Sequence, residues 1–487
     1  MTSLTFYGGV KEIGGNKILV EDEDKDTNVF LDFGMSFGQA GEYFTEFLQP
    51  RKCNGIKDFL EFGLLPNLKG VYRKDYVKHT GRKPEENKID ALFISHAHAD
   101  HSSYIHFLNR EIPLYGGSAT KAILKTLEET SRTGFTELLT MLETFKCYEN
   151  QKGKMSRVTK RKKEYLYKRE FNEMDKEKET EAGSFKVKRI PVNHSLPGAS
   201  AYIIETDEGN IVYTGDLRFH GRKGEITEKF VEIAEKHDPV ALITEGTRIK
   251  KEESKPEKEV CEEVKKEIEK TNGLAIVNFP VRDTERMTSF LEAAEETDRK
   301  LIVNTKQFRL LEHLEETEAD APKPDEVLIH LPNKSWGTIT KDYPERIKKQ
   351  DYQGWEKEYL DRENTVTSED IKKNQEEYVY RCDFFQLKNL IDIKPKKGSR
   401  YIRSVTEPFD EEMEIQLEKA ENWLKHFNLY PYKQVHCSGH ANQKQIEKMI
   451  EKINPEKVYP IHTEHPGKFR RFKGKTKLVR KGKKYRI

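Results

Sequence analysis

Just after Ser95 the chain reads His96-Ala97-His98-Ala99-Asp100-His101, three imidazoles and a carboxylate in one short run. Imidazole nitrogen and carboxylate oxygen are the donors that borderline divalent ions such as Zn²⁺ take. The apolar segment Ala91-Leu92-Phe93-Ile94-Ser95 reads as a strand, so the run sits at a strand end. Alternation on extended backbone points His96 and His98 toward one ion and leaves Asp100 and His101 for a second. Two clustered histidines alone read as ordinary surface or core residues; three with an aspartate at this spacing read as a transition-metal site.

A dinuclear site needs further donors, each held on a rigid element. Three segments offer them. The strand-like Val187 to Asn193 ends in His194, and the hairpin-like Ala201 to Tyr213, turning at Asp207-Glu208-Gly209-Asn210, ends in Gly215-Asp216. Val458-Tyr459-Pro460-Ile461 ends in His462. Short apolar runs closing on a polar residue are the pattern of buried strands in a layered α/β domain. Taken singly, His194 and His462 are plain polar residues, and their value comes from the set.

That set resembles the metallo-β-lactamase superfamily. The early Asp of its pattern matches Asp32 in Phe30-Leu31-Asp32-Phe33-Gly34, its metal motif matches His96 to His101, and its third and fourth motifs match His194 and Asp216. The resemblance implies an α/β protein with the four-layer αββα fold. It implies one metal on His96, His98, His194 and Asp216, and a second on Asp100, His101, Asp216 and His462. Asp216 then bridges the two, and Asp32 orients ligands and loop backbone. Both ions are expected to be divalent, zinc first, with Mn²⁺ or Mg²⁺ as alternatives.

Residues 217 to 461 separate the fourth motif from His462, room for a whole inserted domain. The expected organisation is 1–240 for the first part of the metallo-β-lactamase domain, 241–408 for an inserted β-CASP α/β domain, and 409–487 for the return. Leu242 to Thr247, with Glu245, resembles the first extra motif of the β-CASP nucleases, and Val435 to Asn442, with His440, resembles the next. The opening Tyr7 to Asn16 and the loop Ser438-Gly439-His440-Ala441 look most like ribonuclease J and its archaeal relatives, and the likeness runs along nearly the whole chain. One departure is Pro197-Gly198-Ala199, where bacterial ribonuclease J commonly has an acidic residue after the proline. Neither the extra C-terminal domain of bacterial ribonuclease J nor the leading KH domains of archaeal relatives are expected.

The resemblance implies a cytoplasmic, metal-dependent ribonuclease, a 5′-to-3′ exonuclease with endonuclease activity beside it. Its partner is single-stranded RNA with a 5′-monophosphate end, and its assembly is a homodimer or an RNA-processing complex. Two alternatives stay open: a β-CASP nuclease acting on DNA, since phosphodiester chemistry is the same, and a noncatalytic RNA-processing subunit. The inserted domain and the loop at Ser438 disfavour a small-substrate thioesterase or lactamase.

Phosphodiester hydrolysis needs a nucleophile, neutralisation of transition-state charge, and a proton for the leaving oxygen. A two-metal site supplies the first two, lowering the pKa of water from 15.7 to about 7. The third falls to His440 as general acid, oriented by Glu245, because imidazole titrates near cellular pH. Asp100 and Asp32 complete the catalytic set. Glu245 reads equally as a capping or ion-pairing acid. Ser438, Gly439, His440 and Ala441 precede Asn442 and the helical stripe Ile446, Met449, Ile450 and Ile453. Backbone amides at such a helix start form an anion site. The plainer reading is a turn with Asn442 as N-cap; the resemblance to ribonuclease J, whose loop here holds a 5′-terminal phosphate, favours a substrate-binding loop.

At 487 residues the chain has room for two to four domains. Hydrophobic and charged residues each make up 35%, an ionic surface whose Lys and Glu content with few Cys and Met is that associated with hyperthermophiles. The net charge of +2 does not by itself announce a nucleic-acid binder. Basic stretches lie at Lys152 to Arg169 and Lys468 to Arg486; charge runs of this kind are generally solvated faces, but Arg470, Arg471, Lys473, Lys475 and Lys477 follow His462 closely enough to meet a phosphate backbone. Cys53, Cys147, Cys261, Cys382 and Cys437 have no paired or metal-type spacing, as in a reduced cytosolic protein. No secretory leader or membrane-spanning apolar run is read, so no membrane partner is expected. Elsewhere the pattern predicts a helical hairpin or mobile loop at 148–182, loops over the active-site face at 35–85, a βαβ unit across Leu274 to Asn304, and a helix from Asp410 to Phe427.

Overall fold

Runs such as Val29 to Leu31 and Ile211 to Tyr213 are apolar on both faces, so each can be stable only as a strand covered on both sides. The computed structural model builds them that way. It describes all residues except 46, 52–54, 132–134, 145, 159–162, 340–343, 409–410 and 473, and the side chains at 157 and 411. The chain divides into two units. One comprises Met1–Phe219, Lys223–Glu253 and Gly439–Ile487; the other comprises His220–Arg222 and Ser254–Ser438.

The first unit contains two large sheets. One has seven strands in the order Phe171–Glu173, Leu114–Gly116, Ala91–Phe93, Thr27–Phe33, Lys17–Asp22, Thr2–Phe6, Lys484–Arg486. The other has six, in the order Glu179–Ala182, Phe185–Pro191, Ser200–Thr206, Gly209–Tyr213, Ala241–Thr244, Lys457–Pro460. Leu4, Phe6, Val29, Leu31 and Phe93 of the first pack with Val187, Tyr202, Ile204, Tyr213 and Ile243 of the second. On the outer side of the six-stranded sheet, Phe230 and Val231 of the helix Gly224–Lys236 and Ile446 and Ile450 of the helix Gln443–Ile453 cover Ile203, Val212, Leu242 and Val458. Outside the seven-stranded sheet, Phe33 meets Tyr72, and the helix Ser118–Thr130 buries Ala119, Ile123 and Leu124. The result is the helix, sheet, sheet, helix layering of an α/β fold.

The second unit carries a sheet ordered Thr365–Thr367, Leu328–Leu331, Lys300–Asn304, Tyr378–Arg381, Ala275–Asn278, Arg400–Arg403, Lys433–Gln434, all neighbours parallel. Alternate residues feed two cores. Ala275, Val277, Leu301 and Val303 face Val264, Met287 and Phe290, whereas Ile276, Ile302 and Tyr380 face Leu387, Leu390 and Leu424.

Four local expectations change. The strands Ala275–Asn278 and Lys300–Asn304 flank a helix, Thr284–Glu295, but they are not neighbours, because Tyr378–Arg381 lies between them. Among its described residues, the stretch 148–182 contains neither a helical hairpin nor one long loop. Phe171–Glu173 adds in parallel to Leu114–Gly116, and Glu179–Ala182 pairs antiparallel with Phe185–Pro191, both at sheet edges. Edge strands keep one side solvated, so their charges hid them. Within the helix Glu411–His426, Leu424 is buried and Ala420 and Trp423 pack against the same core, while Met413 and Leu417 are only half-buried. The region 35–85 includes three short helices, Phe37–Gly41, Lys57–Glu61 and Lys74–His79.

Of the basic stretches, Lys160, Arg161, Lys162 and Lys473 lie outside the described residues, as does Cys53. Arg169 is buried and donates to the carbonyls of Asn109, Ile105 and Leu108. Arg471 pairs with Glu447 and Lys484 with Glu21 and Glu23, while Lys468, Arg470 and Lys477 are exposed. Among the described residues no helix is long and apolar enough to cross a membrane.

The helix Gln443–Ile453 opens with a capping box in which Asn442 Oδ1 accepts from the Gln445 amide (3.0 Å) and Gln445 Oε1 from the Asn442 amide (3.1 Å). Asn442→Ala should lower stability by about 1 kcal/mol, seen as a reduced denaturant midpoint; an unchanged midpoint would show that the cap is dispensable.

Candidate metal centre

Nearly every predicted donor lies in the residues just after a strand of the first unit. His96 follows Ala91–Phe93, His194 follows Phe185–Pro191, Asp216 follows Gly209–Tyr213, Glu245 follows Ala241–Thr244 and His462 follows Lys457–Pro460, with Asp32 inside Thr27–Phe33. His98 is the N-cap of a short helix, Ala99–Ser102, that carries Asp100 and His101. Asp32 and His462 have φ of 57° and 48°, a left-handed conformation that side chains other than glycine seldom take. Such strain, of order 1–3 kcal/mol per residue, persists where the surroundings over-determine it.

Ligand-type atoms of His96, His98, His194 and Asp216 lie within 4.8 Å of one another, as do those of Asp100, His101 and His462, and those of Asp216, Glu245 and His462. Asp216 Oδ2 stands at the centre. It is 3.2 Å from His101 Nε2, 3.7 Å from His96 Nε2, 3.7 Å from His462 Nε2, and 3.9 Å from His194 Nε2. His96 Nε2 and His98 Nδ1 approach to 2.9 Å, and His98 Nδ1 and His194 Nε2 to 3.2 Å.

The ring nitrogens turned away from this centre have partners of their own. His101 Nδ1 donates to Asp32 Oδ2 (2.7 Å), His194 Nδ1 donates to the Gly439 carbonyl (2.6 Å), and His462 Nδ1 shares a hydrogen bond with Thr247 Oγ1 (2.8 Å). These bonds set the tautomer and leave Nε2 facing inward. Asp32 also accepts from the Ser95 amide (2.7 Å), Ser95 Oγ (2.6 Å) and the Tyr213 hydroxyl (2.5 Å), tying His96 and His101 to both sheets through one carboxylate. Glycines allow the close approach: a Cβ on Gly34 would fall 1.8 Å from the Asp100 carbonyl oxygen.

Electrostatics divide the set by charge. Burial, reinforced by neighbouring imidazoles, holds His96 and His194 well below the usual histidine range, so both are neutral. Burial opposes ionisation of Asp216 and Asp100, but His101 and His462 outweigh it and hold both carboxyls below their ordinary range. Burial likewise opposes charge on His101, yet Asp216, Asp100 and Asp32 together push it well above. Neutral imidazoles beside ionised, buried carboxylates make a donor set whose charge a divalent cation balances. One buried atom fits that role directly: Asp216 Oδ1 has no hydrogen-bond partner among the described residues.

His440 sits beside this cluster with Nδ1 3.0 Å from Glu245 Oε2 and 3.8 Å from Asp216 Oδ2. Burial disfavours its charge, but the Glu245, Asp216 and Asp100 carboxylates prevail and raise it to about 9. Glu245 is 1% exposed and also accepts from the Leu217 amide (2.8 Å), so it ties two strand-end loops together as well as facing His440. In the loop before the capping box, the Ala441 amide donates to the Leu217 carbonyl (2.7 Å) and the Gln443 amide to the Lys251 carbonyl (2.8 Å). These amides therefore anchor the loop and are not offered to a ligand. Gly439 lies against the site wall, where a Cβ would meet Ser195 Oγ at 2.9 Å and His194 Cε1 at 3.1 Å.

Comparison with known families agrees with this arrangement. Residues 70–265 match the Beta-lactamase superfamily domain, a span that holds His96, His98, Asp100, His101, His194, Asp216 and Glu245. Residues 432–470 match the Zn-dependent metallo-hydrolase RNA specificity domain, which covers His440 and His462. The likeness to the metallo-β-lactamase superfamily therefore rests on these two stretches and the donors they hold. Ribonuclease J of Mycoplasma genitalium is 22% identical over 476 residues, 95% of this chain and 68% of that protein. Ribonuclease J 2 of Streptococcus pyogenes is 24% identical over 61% of this chain and 44% of its own length. A crystal structure of a protein of unknown function from Enterococcus faecalis superposes over 99% of both chains with a TM-score of 0.72 at 25% identity.

The match of residues 70–265 to the Beta-lactamase superfamily domain and the clustered donors mark the centre as a divalent-metal site. Ser95, Tyr213, Thr247 and the Gly439 carbonyl, which orient the metallo-β-lactamase histidines and Asp32, were not singled out from sequence. Ser95 and Thr247 adjoin His96 and Glu245 in the chain and carried that much of a signal; Tyr213 and the Gly439 carbonyl carried none. Asp32→Asn should weaken metal affinity about 10- to 100-fold in a metal titration while the fold is kept; wild-type affinity would remove Asp32 from the support of the centre.

Proposed function

We propose that the protein is a metal-dependent ribonuclease that hydrolyses RNA phosphodiester bonds, acting 5′ to 3′ from a monophosphorylated end of single-stranded RNA and also internally. The observation that carries this reading is the convergence of six imidazole and carboxylate donors around Asp216 with the His440–Glu245 pair beside them. The match to an RNA specificity domain and the similarity to ribonuclease J support RNA as substrate.

In this reading His96, His98, His194 and Asp216 would hold one ion, and Asp100, His101, His462 and Asp216 a second, zinc being the first choice for so many imidazoles. When bound, two such ions supply acidified water and neutralise charge on the phosphoryl oxygens. Asp32 keeps His101 and the Ser95 loop in place. Glu245 holds His440 Nδ1, leaving Nε2 as the atom that delivers a proton to the leaving oxygen. The loop at Ser438 and Gly439, anchored through Ala441, receives the 5′-terminal phosphate.

The test incubates the protein, with Zn²⁺, Mn²⁺ or Mg²⁺ supplied separately, with end-labelled RNA and DNA of matched sequence carrying 5′-monophosphate or 5′-hydroxyl ends. RNA cleavage abolished by a chelator and restored by one of the ions is expected; cleavage that survives chelation overturns the metal reading, and equal cleavage of DNA overturns the choice of RNA. Equal degradation of the two 5′ ends removes the 5′-phosphate reading. His101→Ala should abolish cleavage. His440→Ala should retain metal and slow cleavage about 10²- to 10⁴-fold, and a loss below about tenfold would count against general-acid catalysis by His440.

A further inference from the structure

The second unit contains a buried ion pair that the proposed chemistry does not use. Arg286, in the helix Thr284–Glu295, and Glu257, first residue of the helix Glu257–Glu269, are both 0% exposed. Arg286 Nε and Nη2 donate to the two Glu257 oxygens at 2.6 and 3.0 Å. The same guanidinium reaches further. Nη2 donates to the Cys437 carbonyl (3.1 Å), and Nη1 donates to the carbonyl (3.0 Å) and hydroxyl (2.6 Å) of Ser404. The Cys437 thiol donates back to Glu257 Oε2 (2.8 Å).

Glu257 and Cys437 also lie next to points where the chain passes from one unit to the other. The Glu257 amide donates to the His220 carbonyl (2.9 Å), and His220 Nε2 donates to the carbonyl of Ser438, the last residue of this unit (2.9 Å). One guanidinium and one carboxylate thus fix His220, Cys437 and Ser438 together, immediately ahead of Gly439 and His440 in the chain.

A bidentate, fully buried pair is not required for stability as such, since apolar residues of similar volume often replace one without loss. What apolar residues cannot do is hold a carbonyl at a set place through a rigid fork of donors. We infer that Arg286, with Glu257, is a positioning residue for the loop Ser438–His440: it sets where the proton donor and phosphate loop begin, and does not touch substrate. This inference rests on the ribonuclease reading for the use of that loop, but its structural part can be tested without it.

The experiment uses the full-length, metal-loaded protein and compares wild type with the charge-free double variant Glu257→Leu/Arg286→Met and with Arg286→Lys, which keeps the charge and loses the fork. Readouts are metal content, thermal midpoint, kcat and KM on 5′-monophosphate RNA, and hydrogen exchange of the Ser438–His440 amides. In the double variant, metal content and midpoint should stay near wild type, exchange at Ser438–His440 should quicken at least about tenfold, and kcat should fall about 10- to 100-fold with KM little changed, since misplacement alone costs this much. Arg286→Lys should fall between. A double variant with wild-type kcat and loop exchange overturns the inference. If it does not fold, Arg286→Lys decides by the same two readouts. Should wild type lack nuclease activity, the functional reading fails, while loop exchange in the variants still judges the positioning role.

Discussion

Everything at the centre depends on keeping the Asp216 carboxylate ionised while it is 2% exposed. An isolated carboxylate moved from water into protein would take up a proton instead. Here four imidazoles approach Asp216 Oδ2, and the field of two of them, His101 and His462, decides its charge. The arrangement works only if strand ends hold these groups within a few tenths of an ångström, which a two-sheet sandwich with apolar faces on both sides of each sheet can do.

Asp32 shows how that rigidity is delivered. It sits in the central strand of the seven-stranded sheet and meets Tyr213 of the six-stranded sheet, so one carboxylate joins the sandwich interface to His101 and the Ser95 backbone. Its left-handed backbone and that of His462 are strained conformations kept because the surrounding hydrogen bonds over-determine them. Gly34 and Gly439 serve the same end differently, by letting backbone come closer to the site than any side chain would allow.

The second unit handles buried charge by another route. Its core is an apolar parallel sheet packed on both faces, and into it are set Arg286 and Glu257 with every principal donor and acceptor engaged. Such pairs contribute geometry more reliably than stability. The first unit places charge where a cation completes it, and the second places charge where it completes itself.

Much of this was legible in the chain because the informative signals are local. The His96-to-His101 run, the Asn442 cap followed by Ile446, Met449, Ile450 and Ile453, and the apolar runs ending at His194, Asp216 and His462 each depend on a few neighbouring residues, and backbone geometry translates such spacing directly into strand ends and helix faces. Tertiary structure alone decided which distant groups meet. That Tyr213 serves Asp32, that Glu245 faces His440, that Tyr378–Arg381 enters between two strands joined by a helix, and that a charged stretch pairs at sheet edges all involve partners far apart in sequence. No residue carries a mark of its partner; sheet order and packing select the pairing, because burying the largest apolar area while satisfying every backbone hydrogen bond is a property of the whole chain.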